Sequence, residues 1–586
     1  MAATTAPART AARAVPGARV PALAALAAVC ALAAALRLEN FASVPTTPYY
    51  DAAVRSMALS WHNFLYGALE PSGQISIDKT PVDLWLQVAS TKLLGFSSVS
   101  LRLPEALAGT LAVPLLYDLV RRGFGRAAGL AAALAFAVLP STVLTSRSDT
   151  MDTVMAALLL AAAWLVVRAR PERRPAAVVA AGAVAGLAFE VKLFEGAVAL
   201  PALGLLAWLA LDAPAARKAR TLGLAGLAFL AVAASWAVVA SLLPGSHPYP
   251  LGSTDGQIWN VILVYNGIHR LGNPPTAATA PGLLRLFDPA PPREFGRLIG
   301  AELACALAFG GLAVACARAA GRGAGDLWRR RRAVGWGLGA WLVLGALVAS
   351  FMGRQWPRYL EAFTPAVAGV LGIGVVTVGR AGASRPRATA ALCGCAAAAG
   401  LSGLVTGGGR AAVAVAIALA AAALVLLTAR RVPLATGLVL GAALIVPFAT
   451  SVHLVRAGAT DGEPTGTMPA SELVPLSAYL RAHQGRARYE VAGATIFKVA
   501  ALIVHDARPV LTLTGPDGRP LLTSAELARA ARSGEVRYAL IGRATCAAGT
   551  GAGCAPVVRW ARAHGTDVSR AAGLPHRGLL YRLPGA

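Results

Sequence analysis

The order of apolar runs along this chain constrains its fold more than any other feature. Thirteen runs are candidate membrane spans, since a span needs about 20 mostly apolar residues. They begin near Val20, Leu103, Ala127, Asp152, Pro175, Gly196, Thr221, Leu298, Ala333, Ala362, Thr389, Ala411 and Val432, and the last ends near Val455. The sequence therefore predicts an α-helical polytopic membrane protein with about 13 transmembrane helices.

Composition agrees with a membrane protein and argues against a nucleic-acid partner. Of the 586 residues, 56% are hydrophobic and 14% are charged, whereas soluble domains carry about 25% charged residues. The net charge is +26. The arginines, however, lie in short clusters between the apolar runs and form no basic stripe with interleaved aromatic residues. We therefore expect a lipid bilayer, and no nucleic acid, as a partner.

Arginine clusters occupy alternate connections between the runs, which predicts an orientation. They lie at the N-terminus and at 121–126, 168–174, 217–220, 318–332, 380–387 and 430–431. Because Lys and Arg concentrate on the cytoplasmic side, we expect the N-terminus inside and the C-terminus outside. The first run also resembles a signal peptide. We expect it to be retained because many spans follow.

This orientation divides the chain into three parts. Residues 1–19 are predicted to be a cytoplasmic tail. Residues 20–455 are predicted to be the membrane domain, with outer loops at 37–102 and 244–297. Residues 456–586 are predicted to form a small extracytoplasmic α/β domain. Its pattern predicts strands at YEVAGAT, RPVLTLTG and VRYALIGR, and a helix with a Ser cap and a Gly stop at SAELARAARSG.

The cysteines indicate a disulfide and no metal site. Cys546 and Cys554 bracket the flexible segment AAGTGAG in the C-terminal domain. An oxidising compartment would allow them to pair. The remaining cysteines lie in or beside apolar runs, where we expect them to pack as small apolar residues.

Charged residues collect at the predicted outer face. They are Asp51, Arg55, Asp78, Lys79, Asp83 and Arg102 in the first outer loop, Arg147, Asp149 and Asp152 in TSRSDTMD, Glu190, Lys192 and Glu195 in FEVKLFEG, and Arg354 and Arg358 in GRQWPRY. Any single one could serve only to hold a short loop at the interface. As a set they indicate a functional site. A charged side chain at the end of an apolar run costs free energy, and such residues usually pair with another group for a functional reason.

Six segments, in a fixed order, carry a resemblance to a known family. They are YYDAAVRSMALSWHNF, DKTPVDLWLQ, LRLPEALAGTLAVPLLYDLVRRGFG, SRSDTMDTVMAALLLAAAW, GLAFEVKLFEGAVALPAL and GSTDGQIWNVILVYNG. Together they resemble bacterial glycosyltransferase family 39, whose members are GT-C membrane enzymes similar to protein O-mannosyltransferases and lipid A aminoarabinose transferases. SGEVRYALIG resembles the end of the outer α/β domain in bacterial mannosyltransferase-like proteins. The resemblance extends from Arg37 to about Arg543.

The resemblance implies transfer of a sugar from a polyprenyl phosphate to an acceptor outside the cytoplasm, by an inverting displacement at a bacterial plasma membrane. The family's acidic motif falls on Asp51, its DK-x-P element on Asp78, Lys79 and Pro81, its second acid on Asp152 and its later lysine on Lys192. WPRY replaces the family's HPYY, and YNGIHR replaces its YNG-x-GR. These departures leave the choice of sugar and acceptor open.

The chemistry assigns roles to the charged residues. A hydroxyl acceptor needs a base, which we expect to be Asp51, with Asp152 as a second catalytic carboxylate. Cations stabilise the leaving phosphate, and the expected ones are Lys79, Lys192, Arg102 and Arg147. Further substrate contacts are expected from Tyr50, Asp78, Asp255, Tyr265, Asn266, Arg270 and Arg358. No cofactor is predicted, and dependence on a divalent cation stays open.

Two other functions compete with this hypothesis. A transporter or flippase of lipid-linked sugars would also use charges within the membrane, but its site should lie near the bilayer midplane. A scaffold that presents the C-terminal domain would not need an acid and a lysine together in the first outer loop. The transferred sugar is expected to be a hexose such as mannose, with arabinose, galactose and glucose as alternatives. The acceptor is expected to be a protein, a glycolipid or a cell-wall glycan.

Overall fold

The structure, a computed structural model, describes residues 19–585 except 272–279, 292, 320–322, 354, 383–385, 463–464, 543–545 and 547–550. Long helices dominate the first three quarters of the chain, and a small mixed sheet follows. The predicted fold class, a helical membrane protein with a small C-terminal α/β domain, is confirmed.

The helices of the membrane domain follow the apolar runs. They are α1 (Arg19–Leu38), α2 (Pro48–Met57), α3 (Trp61–Tyr66), α4 (Val82–Leu94), α5 (Ser98–Phe124), α6 (Arg126–Val138), α7 (Pro140–Thr145), α8 (Asp152–Arg168), α9 (Arg174–Lys192), α10 (Phe194–Ala197), α11 (Leu200–Ala210), α12 (Ala215–Ala233), α13 (Ser235–Leu242), α14 (Ile258–Asn260), α15 (Ala301–Ala319), α16 (Gly325–Phe351), α17 (Thr364–Gly382), α18 (Pro386–Val405), α19 (Arg410–Thr428) and α20 (Val432–Arg456). Helices α5, α6, α8 and α17 pack together at the centre. Small residues allow close approach there, since Gly372 of α17 lies against the backbone of Ala132 of α6.

Fewer helices than predicted are long enough to cross a bilayer. Within the described residues, eight helices have the length and apolar composition of a span, or nine if the bent pair Ala215–Ala233 and Ser235–Leu242 counts as one. The predicted count of thirteen is therefore not confirmed. Each predicted run does contain a helix, but several helices are short.

Helices α6 and α9 end for identifiable backbone reasons. Helix α6 ends at Val138 because Leu139 precedes Pro140 and takes the extended conformation that proline imposes on its neighbour, with φ −61° and ψ 119°. Helix α9 ends at Lys192 because Leu193 has φ 52°, a left-handed value that is uncommon outside glycine. Hydropathy alone does not report either break.

A five-stranded sheet forms the core of the C-terminal domain. Its elements are α21 (Ala470–His483), β3 (Ala492–Gly493), α22 (Ile496–Asp506), β4 (Leu511–Thr512), α23 (Ser524–Arg532), β5 (Tyr538–Leu540), α24 (Pro556–His564), β6 (Thr566–Asp567) and β7 (Leu580–Arg582). The strand order is β4-β3-β5-β7-β6, with β3 parallel to β4 and β5, and β7 antiparallel to β5 and β6. The three predicted strands contain β3, β4 and β5.

The helix predicted in this domain forms with a different cap. Thr523, rather than Ser524, is the N-cap of α23, and it forms a capping box with Glu526. Cys546 and Cys554 form a disulfide.

A short parallel sheet joins the two outer loops of the membrane domain. Strand β1 (Ile75–Ser76) pairs with β2 (Tyr249–Pro250), so that Ile75 lies beside Tyr249 and Ser76 beside Pro250. This pairing holds the residues after β1 and β2 at a fixed separation, and the candidate site lies between them.

Candidate active site

Segments predicted to lie outside the membrane meet around a cavity of about 150 Å³. The segment after α1 and its continuation contribute Thr47, Tyr49, Tyr50 and Asp78. The other connections of the membrane domain contribute Thr150, Leu251, Tyr265 and Arg358. The C-terminal region contributes Thr465, Phe497 and Pro516. The cavity is therefore built from helix ends and connecting segments.

Helix α2 carries the first acidic residue of the site. Thr47 is its N-cap and Pro48 its first residue, which suits the fixed φ of proline. This start places Tyr49 and Tyr50 at the cavity and directs Asp51 behind it. The Asp51 side chain is buried, with the residue 2% exposed, and its Oδ2 accepts a hydrogen bond from the Thr46 hydroxyl.

A second buried carboxyl, Asp149, faces Asp51. Its Oδ1 accepts a hydrogen bond from Thr47 Oγ1 at 3.1 Å, and its Oδ2 accepts one from the Thr47 backbone N–H. Burial raises the pKa of Asp51 well above its ordinary value, and the charge of Asp149 raises it further. Burial likewise raises the pKa of Asp149. Two such carboxyls favour sharing one proton over carrying two negative charges.

This pair can supply a base or part of a cation site. Asp51 Oδ1 is buried and receives no hydrogen bond from an N–H or hydroxyl group among the described residues, so it can receive a proton or bind a cation. Within the described part of the chain, no three His, Cys, Asp or Glu side chains are grouped so that they could hold a metal ion. A divalent cation at Asp51 and Asp149 would therefore take its other ligands from the backbone, water or a substrate phosphate.

Three cations lie in or near the cavity wall. Lys79 Nζ lies 3.3 Å from Asp78 Oδ1 and donates a hydrogen bond to Tyr50 Oη at 3.1 Å. Arg358 lines the cavity, and its Nη1 donates to the Asp461 carbonyl at 3.3 Å. Lys192 is close enough to interact electrostatically with both Arg358 and Lys79. Cations grouped in this way can bind a phosphate.

Lys192 differs from the other two cations because it has a buried ionic partner. Its Nζ lies 2.6 Å from Asp152 Oδ2. The break at Leu193 ends α9 directly after Lys192, and Asp152 is the first residue of α8. The ends of these two helices thus bring the predicted second catalytic carboxylate and a predicted phosphate ligand into contact.

Two predicted phosphate ligands, Arg102 and Arg147, instead bind backbone carbonyls. Arg147 Nη1 donates to the carbonyls at the end of α1, those of Leu36, Arg37 and Glu39. Arg102 donates to the carbonyls of Ser98 and Phe41 and lies over the Phe41 ring. Neither residue lines the cavity. Their geometry favours a structural role, in which they fix the end of α1 against its neighbours.

The predicted substrate contacts in the second outer loop divide into two groups. Tyr265 lines the cavity. Asn266 does not line the cavity, but its Nδ2 donates a hydrogen bond to the carbonyl of the lining residue Asp78 at 2.5 Å. Asp255 is exposed and accepts from the Gln257 N–H at 2.9 Å, away from the cavity lining. The side chain of Arg270 lies outside the described side chains.

The sequence patterns assign no role to three residues that the site contains. Asp149 precedes Asp152 by three positions in the same motif, so a motif search could have included it. Asp461 follows α20, and its carboxylate accepts from Thr150 Oγ1 at 3.3 Å. Burial raises the pKa of Asp461 to about 7. Phe497 belongs to the C-terminal domain, and nothing in its local sequence indicates that it faces the membrane domain.

Solved structures share this fold across most of the chain. The crystal structure of ArnT from Cupriavidus metallidurans bound to undecaprenyl phosphate matches with a TM-score of 0.56 and 18% identity, over 91% of this chain and 95% of that one. The archaeal oligosaccharyltransferase AglB from Archaeoglobus fulgidus, in complex with an inhibitory peptide and a dolichol-phosphate, matches with a TM-score of 0.51 and 13% identity, over 90% of this chain and 70% of that one. At such identities the likeness shows the fold.

Two family models match separate parts of the sequence. Residues 78–238 match the dolichyl-phosphate-mannose-protein mannosyltransferase family. Residues 476–564 match the family described as "Putative mannosyltransferase YkcB-like, C-terminal". Together with the shared fold, these matches make the chain similar to membrane glycosyltransferases of the GT-C type. The family resemblance predicted from the six sequence segments is thereby confirmed.

Two curated relatives of this chain come from Bacillus subtilis (strain 168). It is 35% identical to "Putative mannosyltransferase YycA" over 224 residues, which cover 38% of this chain and 33% of the relative. It is 35% identical to "Putative mannosyltransferase YkcB" over 225 residues, which cover 38% of this chain and 31% of that relative. The match thus spans about a third of the length of these relatives.

Proposed function

We propose that this protein is a membrane glycosyltransferase that moves a sugar from a polyprenyl phosphate to an acceptor outside the cytoplasm. One observation carries the proposal. The cavity is lined by Arg358 and lies beside Lys79, which contacts the lining residues Tyr50 and Asp78, and these two cations suit a phosphate. It also lies beside a buried pair of carboxyls that suits a base, Asp51 and Asp149.

The donor is a polyprenyl-phosphate sugar. ArnT and AglB, which share the fold, have been solved with undecaprenyl phosphate and with dolichol-phosphate respectively. In this chain Lys79 and Arg358 bind the phosphate. Lys192 does not touch the phosphate but adds positive charge near it, and its ion pair with Asp152 fixes its position. The lipid tail stays in the bilayer, and the sugar occupies the cavity.

The reaction is a single inverting displacement. Asp51 accepts the proton of the acceptor hydroxyl, and the hydroxyl oxygen attacks the anomeric carbon of the donor. The bond between that carbon and the phosphate oxygen breaks, and its electron pair leaves with the polyprenyl phosphate. Losing one preorganised group that stabilises this charge lowers the rate by roughly 10²–10³.

The base must become accessible during the reaction. Asp51 lies behind Thr47 and Tyr50, both of which line the cavity. A shift of residues 46–47 exposes Asp51 Oδ1 to an acceptor hydroxyl. The raised pKa of Asp51 suits this task, because a carboxylate with a higher pKa is a stronger base.

The transferase accounts for the position of the polar groups better than a transporter does. Transporter sites lie near the bilayer midplane on broken helices, whereas this cavity is lined by residues at helix ends and in connecting segments. The transferred sugar is a hexose such as mannose, and the acceptor is a protein, a glycolipid or a cell-wall glycan. The protein works in a bacterial plasma membrane, with its N-terminus inside and its C-terminal domain outside.

A donor-consumption assay tests this function. The purified protein is incubated with radiolabelled polyprenyl phosphates carrying mannose, glucose, galactose or arabinose, together with membrane extract as a source of acceptor. We expect one donor to be consumed, with release of the polyprenyl phosphate. If no donor is consumed, while vesicles that contain the protein carry an intact lipid-linked sugar across the bilayer, the transporter hypothesis replaces this one.

A further inference from the structure

The C-terminal domain forms one wall of the candidate active site. Phe497, in the first turn of α22, and Pro516, in the turn at 514–520, both line the cavity. Every other cavity residue except Thr465 comes from the membrane domain. The domain therefore contributes side chains to the site.

Three contacts hold this wall in position. The Tyr49 and Phe497 rings lie 5.4 Å apart between centroids, with an angle of 50° between their planes. Gln74 Nε2 donates to Tyr489 Oη at 2.7 Å. At the far side, Arg519 Nη1 donates to the Ser253 carbonyl at 3.3 Å. Each contact joins the domain to an outer loop of the membrane domain.

The orientation of α22 explains why Phe497 faces outward from its own domain. Ile496, Val499 and Ile503 are fully buried, whereas Phe497 is only partly buried. Helix α22 packs against α2, which carries Tyr49 and Tyr50. Phe497 thus presents part of its ring to the cavity instead of to the core of the sheet domain.

The cavity has the size and lining for one sugar ring. Its volume of about 150 Å³ is smaller than the ~300–1,000 Å³ of pockets that bind drug-sized ligands. Aromatic side chains form much of the wall, and Asp78, Thr150 and Arg358 supply polar groups. Aromatic faces pack against the C–H face of a pyranose ring, while carboxylates and hydroxyls bind its hydroxyl groups.

We propose that Phe497 stacks on the sugar of the lipid-linked donor, so that the C-terminal domain takes part in selecting the transferred sugar. This inference rests on the proposed function, because it assumes that the lipid phosphate lies at Lys79 and Arg358. Phe497 would touch the sugar and not the phosphate. The aromatic contact should therefore matter only for donors that carry a sugar.

Binding measurements with and without a sugar test this assignment. The full chain in detergent is titrated with undecaprenyl phosphate and with undecaprenyl phosphate carrying mannose, glucose, galactose or arabinose. The variants are Phe497→Ala, Phe497→Leu, which keeps apolar volume without an aromatic face, and Phe497→Tyr, which keeps the ring. Lys498→Ala is the matched control, because Lys498 is exposed and lies outside the cavity lining. Monodispersity and melting temperature verify that each variant is folded.

We expect the wild type to bind one glycosylated lipid more tightly than the bare phosphate. Phe497→Leu and Phe497→Ala should weaken binding of that glycosylated lipid by about 3- to 10-fold and leave binding of the bare lipid phosphate unchanged. Phe497→Tyr and Lys498→Ala should keep the preference for the glycosylated lipid. The assignment would be overturned if the Phe497 variants bound both lipids equally more weakly, or if Phe497→Leu kept the preference. It would also be overturned if the wild type bound only the bare lipid phosphate. A wild type that binds neither lipid would instead reject the proposed function.

Discussion

Lys192 and Asp152 form a buried ion pair, with Lys192 Nζ 2.6 Å from Asp152 Oδ2 and side-chain exposures of 8% and 0%. The sequence assigns these residues separate roles, as a phosphate ligand and a catalytic carboxylate. Their contact makes each the partner of the other. Arg358 is left as a cation that lines the cavity, and Lys79 as one that contacts the lining residues Asp78 and Tyr50.

The ion pair predicts strong coupling between two substitutions. Lys192→Met and Asp152→Asn should each lower the free energy of unfolding by roughly 3–5 kcal/mol, because each leaves an uncompensated buried charge. The double variant leaves no such charge and should lose less than the sum of the two single losses. Thermal unfolding of the four proteins in one detergent measures this coupling. Additive losses would show that the two side chains do not depend on each other.

Lys79 should control the affinity for the lipid phosphate. Lys79→Ala removes a charge-assisted hydrogen bond, which contributes roughly 1.5–3 kcal/mol, so binding of undecaprenyl phosphate should weaken by about 10- to 100-fold. Lys92→Ala is the matched control, since Lys92 is exposed at the far end of α4. Equal affinities for the two variants would remove Lys79 from the phosphate site.

The sequence could locate those features that depend only on residues close together along the chain. The acidic motif after α1, the DK-x-P element and the three strands of the C-terminal domain all occur where the sequence predicts them, because caps, periodicity and motifs act over a few residues. Asp461 and Phe497 could not be located in this way. Their positions depend on how the region after α20 packs against α2 and Arg358.

Contacts between distant segments also explain why the sequence does not predict the roles of Arg102 and Arg147. Breaks in the backbone explain why it does not predict the number of spans. Arg102 and Arg147 are charged residues at helix ends, and the sequence cannot show that carbonyls of other segments bind them. The break at Leu139 shortens α6, and the break at Leu193 separates α9 from the short helices α10 and α11, although the segments are otherwise apolar. Strands β6 and β7 lie outside the three segments for which the sequence predicts strands.

Glu490 should make the stability of the protein depend on pH. It is fully buried in the C-terminal domain, and burial, followed by the charge of Asp506, raises its pKa to about 8 from the ordinary 4.5. Between these values the folded state holds a proton that the unfolded state releases, so stability falls as pH rises from 4.5 to 8. Glu490→Gln cannot titrate. We therefore expect its melting temperature to fall less than that of the wild type between pH 5 and pH 8, and parallel curves would contradict the raised pKa.

The predicted orientation can be tested at two positions. Arg332 lies in the basic cluster at the start of α16, and Ala586 is the last residue. Fusions of a reporter that is active only in the cytoplasm should be active after Arg332 and inactive after Ala586. Activity at both positions would place the C-terminal domain on the cytoplasmic side, where an extracytoplasmic acceptor could not reach it.

The measurement that tests the central claim most directly is sugar transfer by folded Asp51→Asn protein, assayed with the donor that the wild type consumes. This substitution keeps the shape of the side chain and removes the base. The turnover rate should fall by ~10²–10⁴, while binding of undecaprenyl phosphate stays close to that of the wild type. Asp212→Asn, at an exposed aspartate that pairs with Arg329 and does not line the cavity, controls for loss of a surface charge. Near-normal turnover in Asp51→Asn protein with an unchanged melting temperature would contradict the account and remove Asp51 from the mechanism.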